Sequence, residues 1–255
     1  MKNLDKDRIN ILNSKKGVRA LMLAPKPIDI EGLADQLLAQ KKLEKLQAKM
    51  VTLQSSFIAN QKRAVILIEG MDTTGKASCI KAITNFLNAR NYNVVAFPKP
   101  KQNEPKAWYF QKYIEKLPQE EQMVFFNRSW YNRAVLEPIS NMCTEKQYEL
   151  FLKEAVQFEH SLISDDIKVI KILLRIDKKE QASRVESIKN NPLKSWKLNY
   201  FDMDINEKYD TFLDYENKML KTTSTPLSPW KLIEENKSIQ AQIQVVNHVL
   251  KSLED

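Results

Sequence analysis

Two of the four glycines in this chain, Gly70 and Gly75, follow the apolar run Ala64-Val65-Ile66-Leu67-Ile68 and stand directly before Lys76. Glycine lets a backbone turn tightly with its amides pointing inward, so a chain this poor in glycine has placed two where such a turn is needed. The segment Gly70-Met71-Asp72-Thr73-Thr74-Gly75-Lys76 has the spacing G-x-x-x-x-G-K of a loop that wraps phosphate groups. Successive amides cradle the anion, the lysine neutralises charge on it, and the following helix offers its positive N-terminus. Gly70, Met71, Thr73, Thr74, Gly75 and Lys76 are therefore candidate phosphate-binding positions. A tight strand-to-helix turn with a chance lysine is the bland alternative, but a strand before and a helix after are the context the motif requires.

The pattern lacks one part. The hydroxyl that usually follows the lysine and holds magnesium is replaced by Ala77, and Ser78 comes one position late. Another group must organise a metal, and Asp72, inside the loop, is the candidate. A carboxylate among inward-facing amides beside phosphates is tolerable only with a cation or a proton-bearing partner. A second cluster, Asn127-Arg128-Ser129-Trp130-Tyr131-Asn132-Arg133, follows the apolar run Met123-Val124-Phe125-Phe126. Ligands of open parallel sheets bind beyond the carboxyl ends of the strands, so this cluster should face the glycine loop. Arg128 and Arg133 can grip phosphate oxygens with a two-pronged fork, which lysine cannot, while Trp130 and Tyr131 pack.

Around these motifs short apolar runs alternate with amphipathic stretches. Strands are expected at 64–68, 93–97, 123–126 and 169–176, with a further apolar segment at 230–233. Helices are expected at 76–89, 108–117, 145–163, 178–189, 205–221 and 236–252. Apolar strands alternating with helices mean a parallel sheet covered on both faces, a three-layer α/β fold. Residues 1–30 are polar, with Pro25 and Pro27 as breakers, and read as an extension. From 32 to 60, Leu43, Leu46, Met50, Leu53 and Phe57 form the apolar seam of one long helix. Two heptads favour docking on the helix's own domain over a coiled coil, with Glu44, Lys45, Gln47 and Lys49 on the wet side. The organisation expected is a helical N-terminal extension and long helix over 1–60 and one α/β domain over 61–255.

Composition excludes several classes. An apolar fraction of 43% and a charged fraction of 28% over 255 residues belong to a chain that buries a core, not to a disordered or low-complexity one. Cys79 and Cys143, with His160 and His248, are too few for a cysteine-rich zinc site or a three-histidine centre. No apolar run spans a bilayer and the charged first residues resemble no secretion signal, so a cytoplasmic location is expected. A net charge of +8 favours an anionic partner; neither a nucleic acid nor a membrane is expected.

These blocks together resemble the polyphosphate kinase 2 family. The similarity runs from the glycine loop through Phe97-Pro98-Lys99-Pro100, Trp108-Tyr109-Phe110-Gln111-Lys112-Tyr113, Arg128-Ser129-Trp130-Tyr131-Asn132-Arg133 and Pro192-Leu193-Lys194-Ser195-Trp196-Lys197. The resemblance implies a P-loop kinase-like fold with a helical lid over about 178–200. It implies reversible, magnesium-dependent transfer between inorganic polyphosphate and a nucleoside diphosphate (ADP/ATP, GDP/GTP), with a monophosphate as a further acceptor. A homo-oligomer is implied too, a tetramer being one form. By the same resemblance Asp72, Lys76, Asn127, Arg128 and Arg133 are catalytic, Asp72 and the Asn127 position hold magnesium, and Lys99, Arg184, Lys194 and Lys197 join the phosphate-binding set.

Two departures qualify it. The family's aspartate at the head of the second block is here Asn127, which keeps the shape and removes the charge. Either Asp72 carries the metal alone, or the chain is a weakened variant, natural or engineered. Lys112 stands where arginine is expected and loses the fork. Two rival functions remain: a nucleoside monophosphate kinase of the thymidylate kinase type, against which Ala77 and the arginine block argue, and a catalytically silent polyphosphate-binding protein. Glu137 is expected on a helix surface, with choice of the acceptor as its alternative role.

Overall fold

The computed structural model describes residues 4–25, 27–97, 107–192 and 208–254. Its five strands are β1 (Arg63–Glu69), β2 (Tyr92–Ala96), β3 (Met123–Asn127), β4 (Ile167–Arg175) and β5 (Trp230–Glu234). They form one sheet in the order β2-β3-β1-β4-β5, and every pairing is parallel. β1 lies at the centre and is buried from Ala64 to Glu69, as a strand covered on both faces must be. After β1 the chain forms β2 and β3 on one side of it and then β4 and β5 on the other. The carboxyl end of β1 therefore lies at the crevice where such sheets take their ligands.

Among the described residues ten α-helices accompany the sheet: α1 (Lys6–Leu12), α2 (Lys15–Leu23), α3 (Ile30–Ala59), α4 (Lys76–Thr84), α5 (Gln111–Ile114), α6 (Leu136–Ile139), α7 (Glu145–Ser164), α8 (Lys178–Lys189), α9 (Tyr209–Thr223) and α10 (Ser238–Glu254). Ala64, Ile66 and Ile68 of β1 pack with α3, α4 and α10 on one face; Val65 and Leu67 pack with α5, α7 and α9 on the other. The expected three-layer α/β architecture is present.

The seam of α3 explains its length. Leu43, Met50 and Phe57 are buried, Leu46 and Leu53 pack against the same core, and the helix lies on α10 and α4 of its own chain. Gln47 departs from the wet side assigned to it: it is buried and donates to the carbonyl of Ala82 at 2.8 Å. Two turns on, Gln54 takes both backbone groups of Asn88, accepting from its N–H at 2.7 Å and donating to its carbonyl at 3.1 Å. These two amides reach the end of α4 and the turn after it, and that helix stops at Thr84 rather than continuing to residue 89. The asparagines beyond favour turns, and Asn88 caps the 3₁₀ turn Ala89–Asn91 with its side chain.

One other stretch differs from expectation. Residues 108–117 hold a single turn of helix, α5, because Phe110 and Tyr113 are pulled fully into an aromatic cluster with Phe126, Trp130 and Phe151. The N-terminal extension is helical, as expected. Asp5 and Ser14 cap α1 and α2, Pro25 follows the end of α2, and Ile11 and Leu12 pack on Ala34 of α3.

Met50 is fully buried and its neighbour Val51 points outward. Met50→Ala should cost about 2–5 kcal/mol in chemical denaturation, while Val51→Ala should stay within about 0.5 kcal/mol. Equal effects would contradict docking of α3 on its own core.

Candidate active site

The turn between β1 and α4 is shaped by backbone demands that only certain residues meet. Gly70 has φ +132°, and a Cβ there would lie 2.2 Å from the carbonyl oxygen of Leu174 on β4. Gly75 has φ +102° and caps α4 without any side-chain hydrogen bond. The first amides of that nine-residue helix are left to serve an anion. Thr73 also adopts the left-handed region, at φ +69°, without the freedom of glycine, and its buried hydroxyl has no hydrogen-bond partner. The Thr74 hydroxyl donates to the carbonyl of Met71 at 2.8 Å and locks the turn.

Lys76 folds back over this turn. Its ammonium donates to the carbonyls of Gly70 at 2.7 Å and Met71 at 3.0 Å and lies 3.6 Å from Asp72 Oδ1. Burial lowers its pKa, and the charge of Asp72 works in the opposite direction.

The second cluster meets the first because β3 pairs with β1, Asn127 standing opposite Ile68. Arg128 turns the chain with φ +70° and donates from Nη2 to Asp72 Oδ1 at 2.5 Å. The next residue is held from the same side: Ser129 N–H donates to Glu69 Oε1 at 2.6 Å. Glu69 is buried, and that burial raises its pKa even though Ser129 stabilises the charge. Asn127 ends β3 immediately before the arginine that reaches Asp72.

The other predicted residues divide. Arg184, on α8, donates to the carbonyl of Thr73 at 2.8 Å and to that of Asn236, and pairs with Glu180. It belongs to the glycine turn. Arg133 keeps different company: its Nε donates to Glu137 at 2.8 Å and its guanidinium stacks 3.7 Å above the ring of Tyr109. Glu137 is thus buried, not on a helix surface, because it is the counter-charge of Arg133 and accepts from Tyr109. Lys99, Lys194 and Lys197 lie outside the described residues.

Two acids were not singled out from the sequence. Glu69 was visible as the one charge closing an apolar strand. Glu216, on α9, had no such mark; it is buried beside Arg175 Nε at 3.2 Å, and burial pushes its carboxyl up to about 7. Both line a cavity of about 40 Å³ behind the glycine turn, with Asp72, Arg128, Asn132 and Phe212. That is room for water.

The arrangement can bind a phosphate chain and neutralise charge moving along it, since Lys76 and Arg128 converge on one carboxylate at the glycine turn. Among the described residues no group of three or more His, Cys, Asp or Glu could hold a metal. Asp72 and the Asn127 amide are hard oxygen donors of the kind magnesium takes when phosphate oxygens and waters complete its shell.

The family model described as polyphosphate kinase 2 matches residues 34–255. The chain is 38% identical over 215 residues to ADP-polyphosphate phosphotransferase 1 of Rhizobium meliloti, covering 84% of this chain and 72% of that protein. It is 35% identical over 215 residues to the GDP-polyphosphate phosphotransferase of Mycobacterium tuberculosis, covering 84% and 73%. Its fold is similar to the crystal structure of a Pseudomonas aeruginosa protein assigned to polyphosphate kinase 2, with TM-score 0.79 and 29% identity over 85% of this chain and 46% of that one.

Glu216 gives a pH test with a definite sign. Its carboxyl titrates at about 7 in the folded chain against 4.5 for the ordinary group. Between those values the folded state holds a proton that the unfolded state has released, so this group's contribution to stability falls as pH rises through that window. Urea unfolding should therefore show Glu216→Gln gaining on the native chain from pH 5 to pH 8, by up to about 3 kcal/mol. A difference that does not move with pH would contradict the burial of this acid.

Proposed function

The chain belongs to the polyphosphate kinase 2 family, and we propose that it catalyses reversible, magnesium-dependent transfer of a phosphate between inorganic polyphosphate and a nucleoside diphosphate, ADP or GDP. A monophosphate is a further acceptor in this reading. The observation that carries it is the contact of Arg128 with Asp72, which joins a phosphate-binding turn to an arginine at the ends of two adjacent strands. The relatives named ADP- and GDP-polyphosphate phosphotransferases supply the two substrates.

In the proposed reaction an oxygen of the terminal phosphate of the diphosphate attacks the end phosphorus of polyphosphate. A P–O bond forms to the nucleotide as the P–O bond to the rest of the chain breaks, so the polymer leaves one phosphate shorter. One phosphoanhydride replaces another, and concentrations set the direction. The protein's task is alignment and charge neutralisation. Lys76 leaves the carbonyls of Gly70 and Met71 to meet the transferring phosphate, beside the amides of the glycine turn. Arg128 exchanges part of its hold on Asp72 for phosphate oxygens, and Arg133, kept in place by Glu137 and Tyr109, takes the outer part of the chain. Asp72, helped by the oxygen of Asn127, would hold magnesium, whose positive charge screens the two phosphate chains from each other. A lid over about 178–200, of which 193–200 lie outside the described residues, belongs to this reading, and the contact of Arg184 with the carbonyl of Thr73 supports its closing on the turn. Lys99, Lys194 and Lys197 extend the track for the polyanion. A homo-oligomer, with a tetramer as one form, and a cytoplasmic location complete the proposal; among the described residues no helix is long and apolar enough to cross a membrane.

Lys76→Ala tests the assignment. Nucleoside triphosphate formation from polyphosphate, magnesium and ADP or GDP should fall by at least about 10²-fold, with the circular dichroism spectrum retained. Near-native rates would overturn the role of the glycine turn.

A further inference from the structure

One charged pair is not among the residues that meet phosphate in the proposed reaction and packs against the arginine turn. Lys171, in the middle of β4, and Glu159, on α7, are both fully buried, with 2.7 Å between ammonium and carboxylate. Taking two charges out of water is expensive, and an apolar pair of similar volume is often as stable or more so. Stability alone does not explain their presence.

What they hold is specific. Glu159 Oε1 accepts from the Tyr131 hydroxyl at 2.7 Å and from the Trp130 indole N–H at 3.2 Å, and Oε2 accepts from the Ser228 hydroxyl at 3.0 Å. Lys171 donates to the carbonyl of Thr223, in the last turn of α9, at 2.7 Å and lies over the rings of Tyr131 and Trp230. Trp130 and Tyr131 are the residues that separate Arg128-Ser129 from Asn132-Arg133. Arg128 itself sits in the left-handed region at φ +70°, and a non-glycine residue persists there only when its surroundings over-determine it. The turn is gripped from the front by Asp72 and Glu69 and from the rear by this pair.

We propose that Glu159 and Lys171 are positioning residues for the phosphoryl transfer: acting through Trp130 and Tyr131, they fix Arg128 against Asp72, and through Thr223 they tie that turn to α9, the helix that carries Glu216. The inference rests on the functional reading above. It assigns a role in the reaction to a buried pair that touches no phosphate.

The test compares steady-state transfer from polyphosphate to ADP or GDP by the native chain, by Glu159→Leu/Lys171→Met and by Tyr131→Phe. The double variant removes both charges together, so neither is left buried and unpaired. Tyr131→Phe deletes one hydroxyl and leaves the charges paired; it decides the matter if the double variant does not fold. With folding verified by cooperative thermal unfolding, kcat should fall at least about tenfold in the double variant and about threefold or more in Tyr131→Phe. KM for polyphosphate should stay within about threefold, because the glycine turn and Lys76 are untouched. Native kcat in either folded variant overturns the positioning role while leaving the reaction assignment in place. A native chain that forms no nucleotide from polyphosphate overturns the reaction assignment, and the inference with it.

Discussion

The contact between Arg128 and Asp72 is the constraint on which the site depends. Each residue comes from a turn with a left-handed backbone, one after β1 and one after β3, and adjacent parallel strands bring the two turns within reach of one ion pair. The pair is partly shielded from solvent, where opposite charges interact more strongly than on an open surface. Lys76 shares the same carboxylate oxygen, so one acid organises two cations. In the proposed reaction those cations are withdrawn from protein oxygens and delivered to phosphate oxygens, an exchange of partners rather than an assembly from solvent.

Around that contact the buried charges follow one rule. Glu69 closes β1 and holds Ser129, Glu137 holds Arg133 and Tyr109, and Glu159 with Lys171 holds Trp130 and Tyr131. Each of these three buried glutamates is tied to the arginine segment by at least one hydrogen bond, as a buried charge must be partnered if it is not to lose its solvation uncompensated. The segment from Arg128 to Arg133 is thereby set by polar contacts on several sides, whereas the sheet beneath it is set by apolar packing.

Much of this was legible in the sequence. The central strand announced itself by five consecutive apolar residues, the turn after it by two glycines and a lysine, and the long helix by a seam repeating every three and four residues. These signals are local, and the physics behind them acts over a few residues. What stayed hidden depends on which surfaces meet. Gln47 looked like solvent-facing charge relief and became a buried tie to α4. Glu137 looked like helix surface until Arg133 needed a counter-charge. The stretch 108–117 had helical spacing, but its rings gained more from the aromatic cluster than a second turn of helix would give. Lys171, like Glu69, carried a signal that could have been read and was not: a lysine inside a strand apolar on both faces requires a buried partner.

The measurement that bears most directly on the central claim is the initial rate of nucleotide formation from polyphosphate, magnesium and ADP or GDP, with Asn127→Asp run beside the native chain. The account predicts turnover by the native chain, because Asp72 with Lys76 and Arg128 provides the acid and the cations the transfer needs, and a rate at least as high in the aspartate variant. No product from polyphosphate with either chain, together with transfer from ATP to a nucleoside monophosphate, would contradict it.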